Sequence, residues 1–476
     1  MPPATKTPTT IVWFRQDLRL HDNPALCAAA ERGSVVPVFI LDDGAASQWA
    51  HGGASRVWLH HSLDALQRSL NGHLQLFAGE AAELMPQLVE ALGASAVYWN
   101  RCYEPWRRER DAHIKQQLNE AGIEAESFNA SLLWEPWTVA KADGQPYKVF
   151  TPYYRKGCLA APAPRQPLSK PALNLIAEST AQSLSLEQLE LLPTLDWGEQ
   201  IMAGWEVGEA AASQALDEFL QDRLGQYREG RDVPGLRGTS RMSPHLHFGE
   251  LSPNQVWYRA QAMAKPGNEE ALDKYLAELG WREFCYYLLY HAPTLPEQEY
   301  NAKFAAFPWR DNSAALQAWQ RGRTGVPLVD AGMRELWQTG FMHNRVRMVV
   351  ASFLVKNLLV DWRAGQHWFW DCLLDADLAN NSASWQWVAG SGADAAPYFR
   401  IFNAQRQGEK FDPQGDYVRR FVPELAALPD KYIHAPWSAP AEVLADAGVS
   451  LGGNYPEPIV DLKHSREQAL EAYRSL

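Results

Sequence analysis

The chain has 476 residues, 46% of them hydrophobic and 21% charged, which is more than one core serves, so two domains and a connector are expected. A net charge of −12 argues for weak binding of undamaged nucleic acid but leaves room for a groove with a local basic patch. Apolar runs at 35–41 and 348–355 are too short to span a bilayer, the opening MPPATKTPTT lacks a secretory signal's apolar stretch, and five scattered cysteines (Cys27, Cys102, Cys158, Cys285, Cys372) show no C-x-x-C spacing. That pattern excludes a zinc site and a disulfide framework, so a cytoplasmic protein without metal or membrane is expected.

Residues 9–130 alternate short apolar strands with amphipathic helices. Strands are predicted at 10–14, 35–41, 74–77, 96–99 and 124–128, with helices at 25–32 and 55–70 among those between them. Ser55 reads as the N-cap of the second helix, whose apolar face carries Val57, Leu59, Leu63, Leu66 and Leu70. This alternation implies a parallel α/β sheet, assigned to residues 1–132. No G-x-G-x-x-G follows the first strand, so an ordinary dinucleotide site is not expected there. Residues 133–200, with the Pro-rich run APAPRQPLSKP, read as an inter-domain connector wrapped on the surface. From 201 to 476 the pattern is helical, with helices at 209–223, 254–264, 268–289, 313–320, 330–339 and 344–361, so the second domain is all-α.

Four segments in the second half carry chemistry. Thr239, Ser240, Arg241 and Ser243 open a helical run, where small hydroxyl residues leave backbone N–H groups free for an anion; a plain cap with a solvated arginine is the alternative. Glu278 and Trp281 are three apart and share a helix face, which suits a flat, polar ligand or else a core tryptophan beside an ion-paired glutamate. Asn344 and Met348 are four apart. An amide can read base edges and a thioether can cover a flat ring, although a cap and a core residue fit as well. Residues 375–387 hold Asp375, Asp377, Asn380, Asn381, Trp385 and Trp387, a set that core packing does not explain. If helical, the two indoles point about 200° apart, one towards a cavity and the other away from it. The stretches 394–403 and 407–411 mix aromatic and basic residues, as nucleic-acid stacking and phosphate contact require. The chain's 20 tryptophans, roughly two to three times the usual share, fit either aromatic core filling or electron transfer.

Taken together, GTSRMSP, MHNRVRM, DADLANNSASWQW and DAAPYFRIFN, with VWFRQDLRLHDNP at 12–24, resemble the photolyase/cryptochrome family, and within it the class I cyclobutane pyrimidine dimer photolyases. The resemblance implies an α/β antenna domain and a helical domain holding bent FAD. By position, Tyr227, Thr239, Ser240, Arg241, Met242 and Ser243 would hold its phosphates and ribityl chain, with Tyr275 and Phe341 in place of flavin-side tryptophans. Arg347 and Asp375 would flank the isoalloxazine, Asp377 would meet its polar edge, and Asn381 would face N5. Trp385, Trp362 and Trp309 would carry electrons from solvent to the flavin. A pyrimidine dimer, flipped out of single- or double-stranded DNA, would meet Glu278 and Asn344, which also border the flavin. Met348 would pack on the dimer, Trp281 and Trp387 would wall it, and Arg231, Arg282, Arg345 and Arg400 would hold phosphates. Excited FADH⁻ would then split the dimer, in a protein acting as a monomer.

Asn344, where (6-4) photolyases place a histidine, points to cyclobutane dimers. A cryptochrome photoreceptor is the other alternative; its usual long low-complexity tail is not seen in the residues after Phe411. The antenna implied is 5,10-methenyltetrahydrofolate, with one departure: folate-binding relatives often place Asn and Glu near Trp106 and Arg107, and this chain has an arginine there.

Overall fold

The computed structural model describes residues 7–176, 182–395 and 399–476. Five parallel strands form the first layer: β1 (Thr9–Phe14), β2 (Ser34–Leu41), β3 (Gln75–Ala78), β4 (Ala96–Asn100) and β5 (Glu124–Phe128), in the order β3-β2-β1-β4-β5. Helices α1 (Pro24–Arg32), α2 (Gly53–Ser69), α3 (Ala81–Leu92) and α4 (Pro105–Glu120) connect them. Val12 and Phe14 of β1 enter the core on one face of the sheet, while Ile11 and Trp13 enter the core on the other. Both faces are therefore covered, which is why the central strands are continuously apolar rather than alternating.

The helix expected from Ser55 starts two residues earlier, and Ser55 is buried inside it, donating to the Leu373 carbonyl at 3.2 Å. The reason is tertiary. A side chain at Gly52 would strike the backbone of Trp370, and the Gly53 N–H donates to Asp371 at 2.8 Å. The second domain thus fixes where α2 begins.

The connector is not a surface wrapping throughout. Trp134, Phe150, Tyr153, Tyr154 and Cys158 are buried in the core of the helical part, because a run so rich in aromatics gains more from burial than from exposure. Further on, Asn174–Leu175 (β6) pairs in parallel with Ser34 and Val35, and Leu189 and Leu191 pack against the sheet's helices. Mostly exposed residues remain at 159–172.

The helical part contains α5 (Glu209–Asp222), α6 (Tyr227–Gly230), α7 (Ser243–His247), α8 (Glu269–His291), α9 (Pro327–Thr339), α10 (Asn344–Ser352), α11 (Trp362–Cys372), α12 (Leu378–Ala389) and α13 (Leu462–Arg474). The predicted helix 344–361 is shorter than expected. It passes into a π-turn at Phe353–Asn357 and stops before Leu359, whose φ is +56°. Buried Arg19 ties the two parts together, donating to the carbonyls of Ala130 and Gly249 at 2.9 and 2.8 Å. Among the described residues no helix is long and apolar enough to cross a membrane.

Candidate active site

Three helices supply most of the site. Along the middle of α8, Lys274, Glu278 and Trp281, at i, i+4 and i+7, are unburied, with Asp273 and Arg282 beside them. On α10, Asn344 is exposed and Met348, one turn on, is half-buried, because the helix begins at Asn344 with the His343 ring nitrogen capping the Arg345 N–H at 3.2 Å. On α12 only Asn380, Ser384 and Trp387 escape burial. Both α8 and α10 pack against α12. Arg231, just past α6, pairs with Glu278, and its neighbour Asp232 pairs with Arg345 at 2.7 Å. One chain of charges therefore crosses α6, α8 and α10, while Arg400 lies 5.3 Å over the Trp387 ring on the α12 side.

Deeper lies a polar floor. Arg347 holds Asp375 through bonds of 2.9 and 3.1 Å and donates to the Met342 carbonyl at 2.8 Å. The Phe341 ring lies between two guanidinium groups, 5.1 Å from Arg241 and 5.3 Å from Arg347. Asp377 caps α12, accepting from the Asn380 N–H at 2.8 Å, and also accepts from the Tyr286 hydroxyl. Burial pushes its carboxyl up, but His247, 3.5 Å away, with Tyr286 and Arg282, overrides this and holds it well below the usual carboxylate range. Asn381 is buried and donates to the Gln366 carbonyl at 3.0 Å. Tyr227 and Tyr275 meet edge to face at 5.3 Å, and burial pushes the Tyr275 phenol up to about 12 against a hydrogen bond with Ser240.

The phosphate end departs from the sequence reading. α7 has five residues, too short for a useful dipole, with Met242 buried and Ser243 exposed. Positive charge comes from arginines instead. Arg241, beside half-buried Thr239 and Ser240, takes a left-handed conformation (φ +56°) and lies 3.8 Å over the Trp205 ring. Its Nε is buried without a partner. Burial, then Arg237, with Arg420 and Arg223 adding to it, brings this guanidinium down to about 10. Arg223 is likewise brought down, by burial and by Arg237; a place where cations depress a neighbouring guanidinium is short of negative charge, which a diphosphate fits. Arg223, Arg237 and Arg420 were missed from the sequence, although the loop RDVPGLRGTSR already holds three arginines in eleven residues.

Trp385 and Trp362 belong to one core cluster, with Trp309 packed against it. Trp385 meets Phe369 edge-on at 5.0 Å, and half-buried Trp309 meets Phe307 at 4.3 Å. A methyl at Gly365 would overlap the Trp385 ring. Gly365→Ala is therefore expected to lower stability by about 1–3 kcal/mol, the usual cost of overpacking, and to alter the near-ultraviolet dichroism. Thermal unfolding checks the first and the spectrum the second.

Trp281, expected as a wall, stacks on Phe150 at 3.8 Å. Arg282 does not reach the rim. It donates to the Ser131 carbonyl at 2.7 Å, pairs with Glu283 at 3.2 Å, and keeps only 12% of its side chain exposed. Arg282 lies one turn beyond Glu278 on the same face, but its guanidinium is held by the Ser131 carbonyl of the first domain and by Glu283, so its expected phosphate contact is not supported. Of the DAAPYFRIFN loop, Ala396, Pro397 and Tyr398 lie outside the described residues. Among the described residues no cluster of acidic, histidine or cysteine side chains could hold a metal ion.

Residues 10–172 match the DNA photolyase family model, and residues 275–475 match the FAD binding domain of DNA photolyase. The chain is 49% identical over 478 residues to the deoxyribodipyrimidine photo-lyase of Agrobacterium fabrum, covering 99% of both chains. It is 40% identical to cryptochrome-2 of Arabidopsis thaliana, covering 97% of this chain and 78% of that one. Among solved structures, a bacterial class III photolyase from Agrobacterium tumefaciens superposes with a TM-score of 0.96 at 48% identity, covering 100% of this chain and 99% of that one. With both family models matched and a full-length relative 49% identical, the chain belongs to the DNA photolyase/cryptochrome family.

Proposed function

We propose that this protein repairs cyclobutane pyrimidine dimers in DNA by a light-driven electron transfer. The observation that carries the reading is the rim itself. Half-buried Glu278 and exposed Asn344 stand on two helices that both pack on α12, with Met348 one turn from Asn344, beside the buried Asp375, Asp377 and Asn381 and the Arg347 that pairs with Asp375. When bound, reduced FAD supplies, on excitation, the electron that opens the cyclobutane ring and takes it back afterwards. The residues do the rest. Arg241 and its arginine neighbours neutralise the diphosphate; Asp377 offers an ionised acceptor to a ring edge; Asn381 offers an amide; the Arg347–Asp375 pair adds no bare buried charge. A dimer has to leave the base stack to enter such a site; Arg345 and Arg400 would meet the phosphates around it, while Arg231, 13% exposed and paired with Glu278, would hold that carboxylate rather than make the phosphate contact expected of it.

The relation to a class III photolyase at 48% identity favours class III over the class I assignment. For the antenna, half-exposed Trp137 and Tyr290 lie 5.5 Å apart, with Arg101 and Arg108 at 5.8 and 4.1 Å from their rings. A folate, with a flat pterin and a carboxylate tail, suits that platform. Arg107, paired with Glu104 at 3.4 Å, takes no part in it. We place the protein in the cytoplasm, working as a monomer.

Photoreduced protein incubated with DNA carrying one thymine dimer should lose the dimer under blue light and keep it in the dark. No light-dependent loss transfers the assignment to a cryptochrome photoreceptor. Glu278→Ala should lower the repair yield about tenfold, as expected for a hydrogen bond to a charged group worth about 1.5–3 kcal/mol, while the flavin absorbance stays unchanged. Repair at the wild-type yield removes Glu278 from the dimer site.

A further inference from the structure

Behind the Arg400–Trp387 edge lies a set of contacts around Phe399, which also packs on Phe307 at 6.2 Å, beside Trp309. Lys356, in the π-turn after α10, is fully buried. Its ammonium donates to the Ala389 carbonyl at 2.7 Å and lies 2.9 Å from the centroid of the Phe399 ring. Ala389 ends α12, where free carbonyls and the negative end of the helix dipole favour a cation. Burial pulls the ammonium well below the ordinary lysine range, so the carbonyl and the ring are its immediate support. The far side of Phe399 is covered by Tyr473 of α13, stacked at 4.4 Å with the planes 8° apart. Asn357, next to Lys356, donates to Ser465 of the same helix at 2.8 Å. Gly390 completes the fit: at φ +95°, a methyl there would come within 3.0 Å of Phe399 and 3.3 Å of the Lys356 nitrogen.

Tyr473, Phe399, Lys356 and the end of α12 thus form a stack, and the residue after Phe399 is Arg400, over Trp387. We propose that Lys356, Phe399 and Tyr473 are positioning residues that fix the Arg400–Trp387 lip, making α13 a determinant of duplex over single-stranded substrate. The proposal rests on the reading of that lip as part of a lesion-binding mouth. A dimer in a duplex must be unstacked and unpaired before it enters, and a lip already in place offsets that cost. A dimer in a single strand has no partner to leave, so it depends less on the lip.

The test is dark binding of the flavin-loaded protein to a labelled oligonucleotide carrying one thymine dimer, as duplex and as single strand, read by fluorescence anisotropy. Tyr473 is 39% exposed, so Tyr473→Ala leaves the core intact. It should weaken duplex binding by up to about tenfold, the upper worth of an aromatic pair, and single-strand binding by less than about twofold. Tyr473→Phe should restore duplex binding, and Lys356→Met should reproduce the split. Equal losses on both substrates, or an unaffected duplex, overturn the proposal. A wild-type protein that prefers dimer DNA beside an unaffected Tyr473→Ala overturns the positioning role alone. A wild-type protein with no preference for dimer DNA overturns both the positioning role and the repair reading.

Discussion

Replacing Arg241 with alanine should strip the protein of its flavin. Arg241 is the one member of the cationic group whose guanidinium is stacked on an indole, 3.8 Å from Trp205, and also keeps a buried nitrogen without a partner. Left-handed backbone at a residue other than glycine costs of order 1–2 kcal/mol, and such strain persists where the surroundings require the side chain in one place. A charge-assisted hydrogen bond contributes about 1.5–3 kcal/mol, so losing one raises the FAD dissociation constant about tenfold to a hundredfold. Losing two bonds of the same fork raises it further. Arg241→Lys keeps the charge but not the planar fork and should fall between the two. Titration of the stripped proteins with FAD, followed by flavin fluorescence, gives all three constants. Wild-type affinity in Arg241→Ala would show that the arginine cluster serves some other anion.

Much of the fold was legible because the sequence repeats simple physics. Each predicted strand from 10–14 to 124–128 lies at a strand of the structure; the central ones were legible because strands covered on both faces are short, unbroken apolar runs, whereas the edge strand Glu124–Phe128 is polar and half exposed. The boundaries that moved were moved by tertiary contact. α2 starts at Gly53 because the backbone of Trp370 and the carboxylate of Asp371 are there to meet it. α10 stops short because Leu359 turns into the left-handed region. Neither contact leaves a local sign. The connector misled for a different reason: proline and serine at 161–171 suggested a surface path, while the aromatic residues around Tyr153 sit in the helical core.

The site was legible as a set of types and spacings. Glu278 with Trp281, and Asn344 with Met348, were paired from helical period alone, and their helices do leave those residues unburied. The Trp385–Trp387 argument also held in one respect: the segment is helical, with Trp385 buried and Trp387 half-open towards Arg400. Period could not say where the Arg282 guanidinium goes, because that depends on the first domain's Ser131 carbonyl. Nor could it show that Asp377 is kept ionised by His247 and Tyr286, which come from other elements.

Trp309→Phe should slow photoreduction of the oxidised protein at least about tenfold, the effect of roughly 1.4 kcal/mol or more on an activation barrier, and leave repair by pre-reduced protein unchanged. The argument turns on where each indole sits. Trp385 and Trp362 are buried, at 2% and 0% exposure, so a positive charge left on either has no water to stabilise it. Trp309 is half-buried between exposed Pro308 and Arg310, where water and an external reductant can reach an oxidised ring. A phenylalanine keeps the packing against Phe307 at that place but is far harder to oxidise than an indole, so the charge would stay inside and return to the flavin. Repair starting from reduced flavin needs no electron from solvent, which is why the two measurements should separate. Flavin absorbance under steady blue light with a thiol reductant reads the first, and dimer loss after chemical reduction reads the second. Photoreduction at the wild-type rate would remove Trp309 from the route; loss of repair in the pre-reduced variant would show that its role is structural.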